Sequence, residues 1–524
     1  MTEATKMAKV SVRGGFNVMW GLVISTVISS VGSVIFANLL GQTNYGLYTI
    51  ALAAPSLISV FRDWGISSAM IRYTAQYRAE DKEADIRNIF ASGILFETVL
   101  GLILAVAAFL LSGVLAHLYS RPKITPLIEV ASFVILTGAL LSTGQAAFTG
   151  MERMELNSIA IIVQSIIKTI LVPSLVILGL GPLGAVTGFT VASLIGGLIA
   201  MLFVWSLYKK LPKLASGTLE IKATIRTMFN YGFPLSIASI VGTFQVAFYN
   251  FILPIFVASD LIGNYGIANT FVVLIGFFAT PVSTMLFPAF SKLDPEEDRE
   301  TLKSVFQYSI KFASLLVVPV AAMVMALAKP GISILFPKFT AAPLFLSLLA
   351  INYLYVAFGS LAVSNLINSQ GQTKFSLRLS LLTFGIGFPL SIVLISKFGI
   401  LGLIATSLTA GLPSLTVALR WLKNRYGVTV DWKSSAKILL SGGIASVITY
   451  ELVTRVISRN SIALVVGVIV FLFVFLFAII LTGGITKSDI YTLREIMTAL
   501  GPLGGLANRF LTIIEKLMTA IKPQ

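Results

Sequence analysis

Long apolar runs separated by short polar connectors occupy nearly the whole chain. Fourteen can be set out: roughly 14–40, 45–71, 89–117, 124–150, 155–179, 182–207, 227–257, 262–290, 303–328, 340–368, 374–397, 399–421, 435–457 and 461–483. Each meets the length of about 20 residues that a helix needs to cross a bilayer. Gly and Pro recur inside the runs, which a membrane bundle tolerates because neighbouring helices re-satisfy the freed backbone groups. The alternating ten-residue segments of a membrane β-barrel do not appear. The pattern predicts an all-α polytopic membrane protein of about fourteen transmembrane helices.

The runs repeat. Asn44-Tyr45-Gly46 returns as Asn264-Tyr265-Gly266, and Gly181-Pro182-Leu183-Gly184 is echoed by Gly399-Ile400-Leu401-Gly402. The charged connectors Gln76–Asp81 and Ser291–Glu296 recur at a similar spacing. That spacing spans six helices. Six is even, so both copies share one membrane orientation, and the expected symmetry is a pseudo-twofold along the membrane normal. The organisation predicted is a six-helix bundle over 1–208, a cytoplasmic linker over 209–226, a second six-helix bundle over 227–422 and helices 13–14 over 434–483. Beyond them, 486–524 carries apolar residues at helical spacing and reads as a cytoplasmic amphipathic tail on the inner surface.

Composition agrees with the pattern. Hydrophobic residues make up 56% of the chain and charged residues 11%, less than half the roughly 25% of soluble domains. The formal net charge of +16 is unevenly distributed. Lys6, Lys9, Arg72, Arg78, Lys82, Lys209, Lys210, Lys213, Lys222, Arg226, Lys292, Lys423 and Arg425 fall on one side of the alternating loops. Arg121, Lys123, Lys329, Lys338, Lys397, Arg455 and Arg459 fall on the other. The positive-inside rule places both termini in the cytoplasm of a cell (plasma) membrane protein. Topology and attraction to anionic lipids account for the charge, and no nucleic-acid partner is expected. The first apolar run is too long for a cleavable signal peptide. There is no Cys, so disulfides and thiolate chemistry are excluded.

The connectors are short, which excludes a soluble catalytic domain. No P-loop, nucleophile elbow or His cluster occurs, and the single His, His117, lies near a membrane boundary. A catalytic residue, a metal and a cofactor are all unexpected. Charges inside the membrane are costly and are the natural functional candidates. The first half holds Arg62 and Asp63 in run 2, Glu97 in run 3 and Lys168 in run 5. Counted along continuous helices, Arg62, Glu97 and Lys168 reach a similar depth in the inner half of the bilayer. Arg62 and Lys168 could take a phosphate or pyrophosphate headgroup, Arg by its planar fork of donors. Asp63 and Glu97 could bind a coupling proton or sodium ion. Alternatively, Arg62–Glu97 and Asp63–Lys168 could be ion pairs locking the bundle. In the second half uncharged polar residues replace the charges: Gln245, Tyr249 and Asn250 in run 7, and Asn352, Tyr353, Tyr355, Asn365 and Asn368 in run 10. Tyr and Asn suit sugars, with ring faces and amides. They also serve as helix–helix glue.

Gly15-Phe16-Asn17 through Leu39-Leu40-Gly41, Asn44-Tyr45-Gly46-Leu47-Tyr48, Asp63-Trp64-Gly65-Ile66 with Arg72, and Gly150-Met151-Glu152-Arg153 carry a resemblance. The chain resembles the polysaccharide-biosynthesis flippases of the multidrug/oligosaccharidyl-lipid/polysaccharide (MOP) exporter superfamily. The resemblance implies two bundles working by alternating access, with an opening to lipid between spans 1 and 8. It implies transfer of a polyprenyl- or dolichyl-linked (pyro)phosphate oligosaccharide to the outer leaflet. It adds Arg13 to the cationic candidates. Span 8 has no ionisable residue between Phe271 and Phe287, a departure from lipid II flippases. The expected partners are a lipid-linked sugar phosphate, membrane lipids and a coupling proton or sodium ion, with the protein a monomer. The alternative is a cation-coupled small-molecule or drug antiporter of the same superfamily.

Overall fold

The computed structural model describes residues 3–214 and 218–498, together with Thr512, Glu515 and Met518; side chains are described from Gly21 onward. In chain order the helices are α1 Glu3–Ser59, α2 Ile66–Ala79, α3 Ile86–Leu110, α4 Ser112–Leu118, α5 Thr125–Gly150 and α6 Met154–Leu175. Then follow α7 Gly181–Lys210, α8 Ile221–Phe256, α9 Ser259–Ser291, α10 Arg299–Leu335, α11 Ala342–Leu354 and α12 Ser360–Ser369. The last are α13 Thr373–Phe398, α14 Ile400–Thr409, α15 Leu412–Tyr426, α16 Trp432–Arg455, α17 Asn460–Thr482 and α18 Lys487–Thr498. No strand occurs among the described residues.

Among the described residues, eleven helical stretches are long and apolar enough to cross a membrane, or twelve if α11 and α12, bent by 55° between them, count as one. The difference from the fourteen expected lies largely in helices that run on through a break. α1 has 57 residues, about 85 Å at the helical rise of about 1.5 Å per residue. That is more than twice the roughly 30 Å hydrocarbon core. The chain bends inside it at Gly41 (φ 72°, ψ 177°), where runs 1 and 2 meet. Runs 5 and 6 likewise join through a π-helical turn at Val176–Leu180. Run 2 differs in the opposite sense. It was expected as continuous helix over 45–71, yet it leaves helical geometry between Ser59 and Ile66. Runs 13 and 14 appear as α16 and α17 within a few residues of the expected bounds.

By internal contacts the chain divides into two units. The first comprises Met1–Gly266 and Phe384–Leu403, the second Ile267–Thr383 and Ile404–Gln524. In the first unit α1 lies along α6, and α5 packs against α3 and α7. Its core gathers Met70, Phe90, Phe148, Val204 and Met228. Small residues allow close approach: a Cβ on Gly32 would sit 2.6 Å from the Thr169 hydroxyl, the small-residue packing typical of membrane helices. In the second unit α10 is central, touching α11, α16 and α17. One core joins Phe290, Phe306, Leu366 and Leu422; another joins Ile438, Phe471 and Ile479, with Met518 packed against it.

Candidate functional site

The charges of the first unit surround the break in run 2. Asp63 accepts from the backbone N–H of Gly65 (2.8 Å) and Ser67 (3.5 Å). A short carboxylate that binds nearby N–H groups competes with the helical ladder, and Gly65 turns left-handed at φ 85°. Together they end one helix and start α2. Arg62 is thereby set on non-helical backbone. Its guanidinium Nη1 is buried and makes no hydrogen bond. Gly138 of α5 leaves room for it: a Cβ there would approach Nη1 to 3.7 Å.

Glu97 sits on the buried face of α3 with Phe90, Gly93, Gly101 and Ala105, a spacing of three and four that puts them on one stripe. It is 1% exposed, and neither carboxyl oxygen has a hydrogen-bond partner. Arg62 and Asp63 lie within electrostatic reach of it. Lys168 on α6 is half-buried, with Nζ 5.2 Å from the ring centre of Phe189. Phe189 meets Tyr48 edge-on, and Tyr48 in turn packs with Tyr45 and Phe36. Among the described residues no ion pair within 4.0 Å involves Arg62, Asp63, Glu97 or Lys168. The two locking pairs considered from the sequence are therefore not formed. Leaving a buried polar group unsatisfied costs about 1–3 kcal/mol, more if it is charged.

Sequence reasoning missed two seams that frame this unit. At one, Gly65 and Gly232 of α8 cross backbone to backbone: a Cβ on either would fall 2.1 or 2.2 Å from the other's carbonyl oxygen. Trp64 stacks on Phe233 beside it (5.5 Å). At the other, a Cβ on Gly46 would meet the Ser259 carbonyl and one on Gly263 would fall 2.1 Å from the Gln42 carbonyl, with the Asn264 amide donating to Gln42 Oε1 at 3.1 Å. The repeated Asn-Tyr-Gly motif itself meets here, since a Cβ on Gly266 would lie 3.0 Å from the Tyr45 ring. Nearby, Arg121 donates to the carbonyls of Tyr119 (3.0 Å), Pro254 (2.5 Å) and Val257 (2.7 Å). Carbonyl acceptors leave no trace in side-chain sequence. The motif glycines were visible, but nothing in them announced which backbones would cross.

The remaining candidates are dispersed. Tyr249 is buried and accepts a 2.6 Å hydrogen bond from Gln245 one turn away on α8; Asn250 follows it, half-buried. The Arg13 side chain lies outside the described residues. In the second unit Asn352 reaches Ser407 (3.4 Å) and Tyr355 donates to the Leu408 carbonyl (2.8 Å). Both thus tie their helix to α14. Tyr353 and Asn365 instead line a cavity of about 670 Å³ between α9 and the bent α11–α12 segment, with Thr280, Ser283, Thr284 and Phe287. The buried charge of this unit, Lys311 on α10, is paired. Asp489 at the start of α18 lies 2.6 Å from it and also accepts from Thr486 N–H and Oγ1, each at 2.7 Å. The Asp489 N–H bonds back to the Thr486 hydroxyl at 3.3 Å, a reciprocal capping arrangement.

A family model described as Polysaccharide biosynthesis protein matches residues 11–294, more than half of the chain. The chain belongs to this polysaccharide biosynthesis protein family. Relatives include Uncharacterized membrane protein MJ1068 of Methanocaldococcus jannaschii, 23% identical over 92% of this chain and 97% of that protein. Lipopolysaccharide biosynthesis protein WzxC of Escherichia coli is 23% identical over 60% of this chain and 62% of its own length. Probable low-salt glycan biosynthesis flippase Agl15 of Haloferax volcanii is 25% identical over 41% and 45%. In fold, this family member is similar to the lipid II flippase MurJ in an inward closed conformation (TM-score 0.68, 17% identity, 89% of this chain and 98% of that one). It is also similar to an inward-facing multidrug resistance MATE family transporter of the MOP superfamily (TM-score 0.60, 17% identity, 78% and 98%). The fold is therefore an all-α, multi-pass membrane fold shared with these two transporters.

Proposed function

We propose that this protein moves a lipid-linked oligosaccharide or polysaccharide repeat unit, carried on a polyprenyl or dolichyl phosphate or pyrophosphate, from the cytoplasmic to the outer leaflet by alternating access. The observation that carries this reading is Arg62. Its half-buried side chain sits at a break in a membrane helix, with Nη1 itself buried and used by no protein group. A buried guanidinium donor left unused is expensive to keep for stability alone. A planar fork of donors at a helix break suits a phosphate oxygen that arrives and leaves. Lys168 supplies a second cation in the same unit, on a ring face rather than on a carboxylate. The lipid tail stays in the bilayer, and the headgroup alone travels through the protein. Both termini are cytoplasmic in this reading. The membrane is the plasma membrane, α1 and the α6–α7 stretch each cross it twice, and the protein acts as a monomer.

The test is reconstitution of the full chain in vesicles with a fluorescent polyprenyl pyrophosphate oligosaccharide, scored by its accessibility in the outer leaflet. Arg62→Ala should slow transfer at least tenfold while the protein stays folded and inserted. Wild-type rates in that variant would refute the reading.

Glu97 favours a second reading, a cation-coupled antiporter of small molecules. A buried carboxylate with both oxygens free can take up and release a proton. Glu97→Gln would then abolish the response of transport to a pH gradient. A flippase driven otherwise would keep its rate.

A further inference from the structure

The cavity of the second unit has a chemistry opposite to that around Arg62. None of the side chains that line it is charged. Its polar groups are also biased in what they offer. Thr280 Oγ1 donates to the Gly276 carbonyl and Thr284 Oγ1 to the Thr280 carbonyl, each at 2.9 Å. Their protons are spent along α9, and oxygen lone pairs are what remain for a visitor. The Asn365 amide donates to Ser283 Oγ (2.8 Å) and the Leu361 carbonyl (2.9 Å), which leaves its carbonyl oxygen as an open acceptor. The Tyr353 hydroxyl has no hydrogen-bond partner among the described residues and borders Gly276, where a Cβ would lie 3.4 Å away.

A cavity without a cation, whose open groups beyond the Tyr353 and Ser283 hydroxyls are acceptors, holds a phosphate poorly, since phosphate itself only accepts. It suits a neutral ligand with many O–H donors. Its volume, about 670 Å³, falls within the roughly 300–1,000 Å³ of small-ligand sites. The rings of Tyr353 and Phe287 add apolar faces of the kind on which sugar C–H groups rest. A lipid tail would leave these oxygens unpaired, at the cost that attends any unsatisfied polar group.

We infer that this cavity binds the uncharged, hydroxyl-rich glycan of the transported lipid, with Tyr353, Asn365, Thr280 and Thr284 as its hydrogen-bonding groups. The inference rests on the flippase reading and adds a second, chemically separate recognition element to it. Sugar and phosphate would be recognised by different residues, so specificity for the glycan would be set where no charge resides.

The experiment compares two probes on the purified full chain in nanodiscs: a short polyprenyl pyrophosphate bearing a neutral trisaccharide, and the same carrier without sugar. Wild type should bind the glycosylated probe more tightly. Tyr353→Phe and Thr284→Val each remove one hydroxyl with little change of shape. Each should weaken the glycosylated probe about five- to tenfold, the scale of one hydrogen bond, and leave the bare carrier and the melting temperature unchanged. Equal weakening of both probes, or of neither, overturns the glycan site. So does a wild type that binds the two probes alike. Arg62→Ala separates this from the parent reading: it should weaken both probes. If it weakens neither while the Tyr353 and Thr284 effects persist, the phosphate assignment fails and the glycan site stands.

Discussion

Each unit buries a charge within its membrane helices, and the two treat it differently. In the second unit Lys311 meets Asp489 at 2.6 Å, with side-chain exposures of 14% and 3%. The partner is itself held by Thr486. In the first unit Glu97 and Arg62 lie within electrostatic reach of one another, yet Glu97 is unpartnered at both oxygens and Arg62 at Nη1. The first arrangement is stable and closed to other ligands. The second leaves binding capacity unspent. The contrast teaches that a buried charge is informative about function only once its partners are known. A sequence presents Lys311 and Arg62 as the same kind of oddity.

The largest expected effect tests the paired side. Asp489→Ala strands the Lys311 ammonium and should cost about 3–5 kcal/mol, seen as a lower melting temperature and poor recovery from membranes. Lys311→Met combined with Asp489→Ala should restore most of the loss; if it does not, the pair is not what holds α18 to α10. Next in size is the glycine seam beside Arg62. Gly65→Ala meets both a left-handed backbone and the Gly232 carbonyl, and should destabilise by about 2–4 kcal/mol. A neutral outcome would mean that the crossing is looser than 2.1 Å implies. Arg121→Ala removes three charge-assisted bonds to carbonyls at the partly exposed opposite seam. A loss of about 1.5–3 kcal/mol is expected in thermal unfolding, and Arg121→Lys should recover only part of it. The smallest effect makes the comparison sharpest. Glu97→Gln should raise stability by about 1 kcal/mol, because no hydrogen bond is lost and relief of a carboxylate's desolvation outweighs the weakened attraction to Arg62. Asp489→Asn should lower it. Two isosteric changes at buried acids would then carry opposite signs.

Much of this molecule could be read from its hydrophobic pattern. The helical class follows from run length, and α16 and α17 fall within a few residues of runs 13 and 14. What escaped the pattern has particular causes. The break at Val60–Gly65 is flanked by apolar sequence on both sides, so hydropathy runs straight through it. Asp63 and Gly65 were visible, but as parts of a motif rather than as a competing turn. Run 10 reads as one straight span over 340–368, so its spacing did not separate Tyr353 and Asn365 from Asn352 and Tyr355. Gly359 adopts φ 89° between α11 and α12, and the 55° bend re-aims every side chain beyond it. Tyr353 and Tyr355 stand about 200° apart around a helix, so one can line a cavity while the other ties down α14. The Arg62–Glu97 set was legible only as a group of candidate residues. That its members would stay unpaired was not, because pairing is decided by a few ångströms that no spacing encodes.

The Lys311–Asp489 pair also has a meaning in time. Asp489 follows Lys311 by 178 residues. At about 5–20 residues per second of synthesis, α10 waits roughly ten to thirty-five seconds before its counter-charge exists. Throughout that interval the growing protein carries a flaw, a Lys311 ammonium without its anion, and the arrival of α18 erases it. A copy that stops short of residue 489 keeps the flaw permanently. α18 thus supplies, late in synthesis, the counter-charge that α10 lacks from the start.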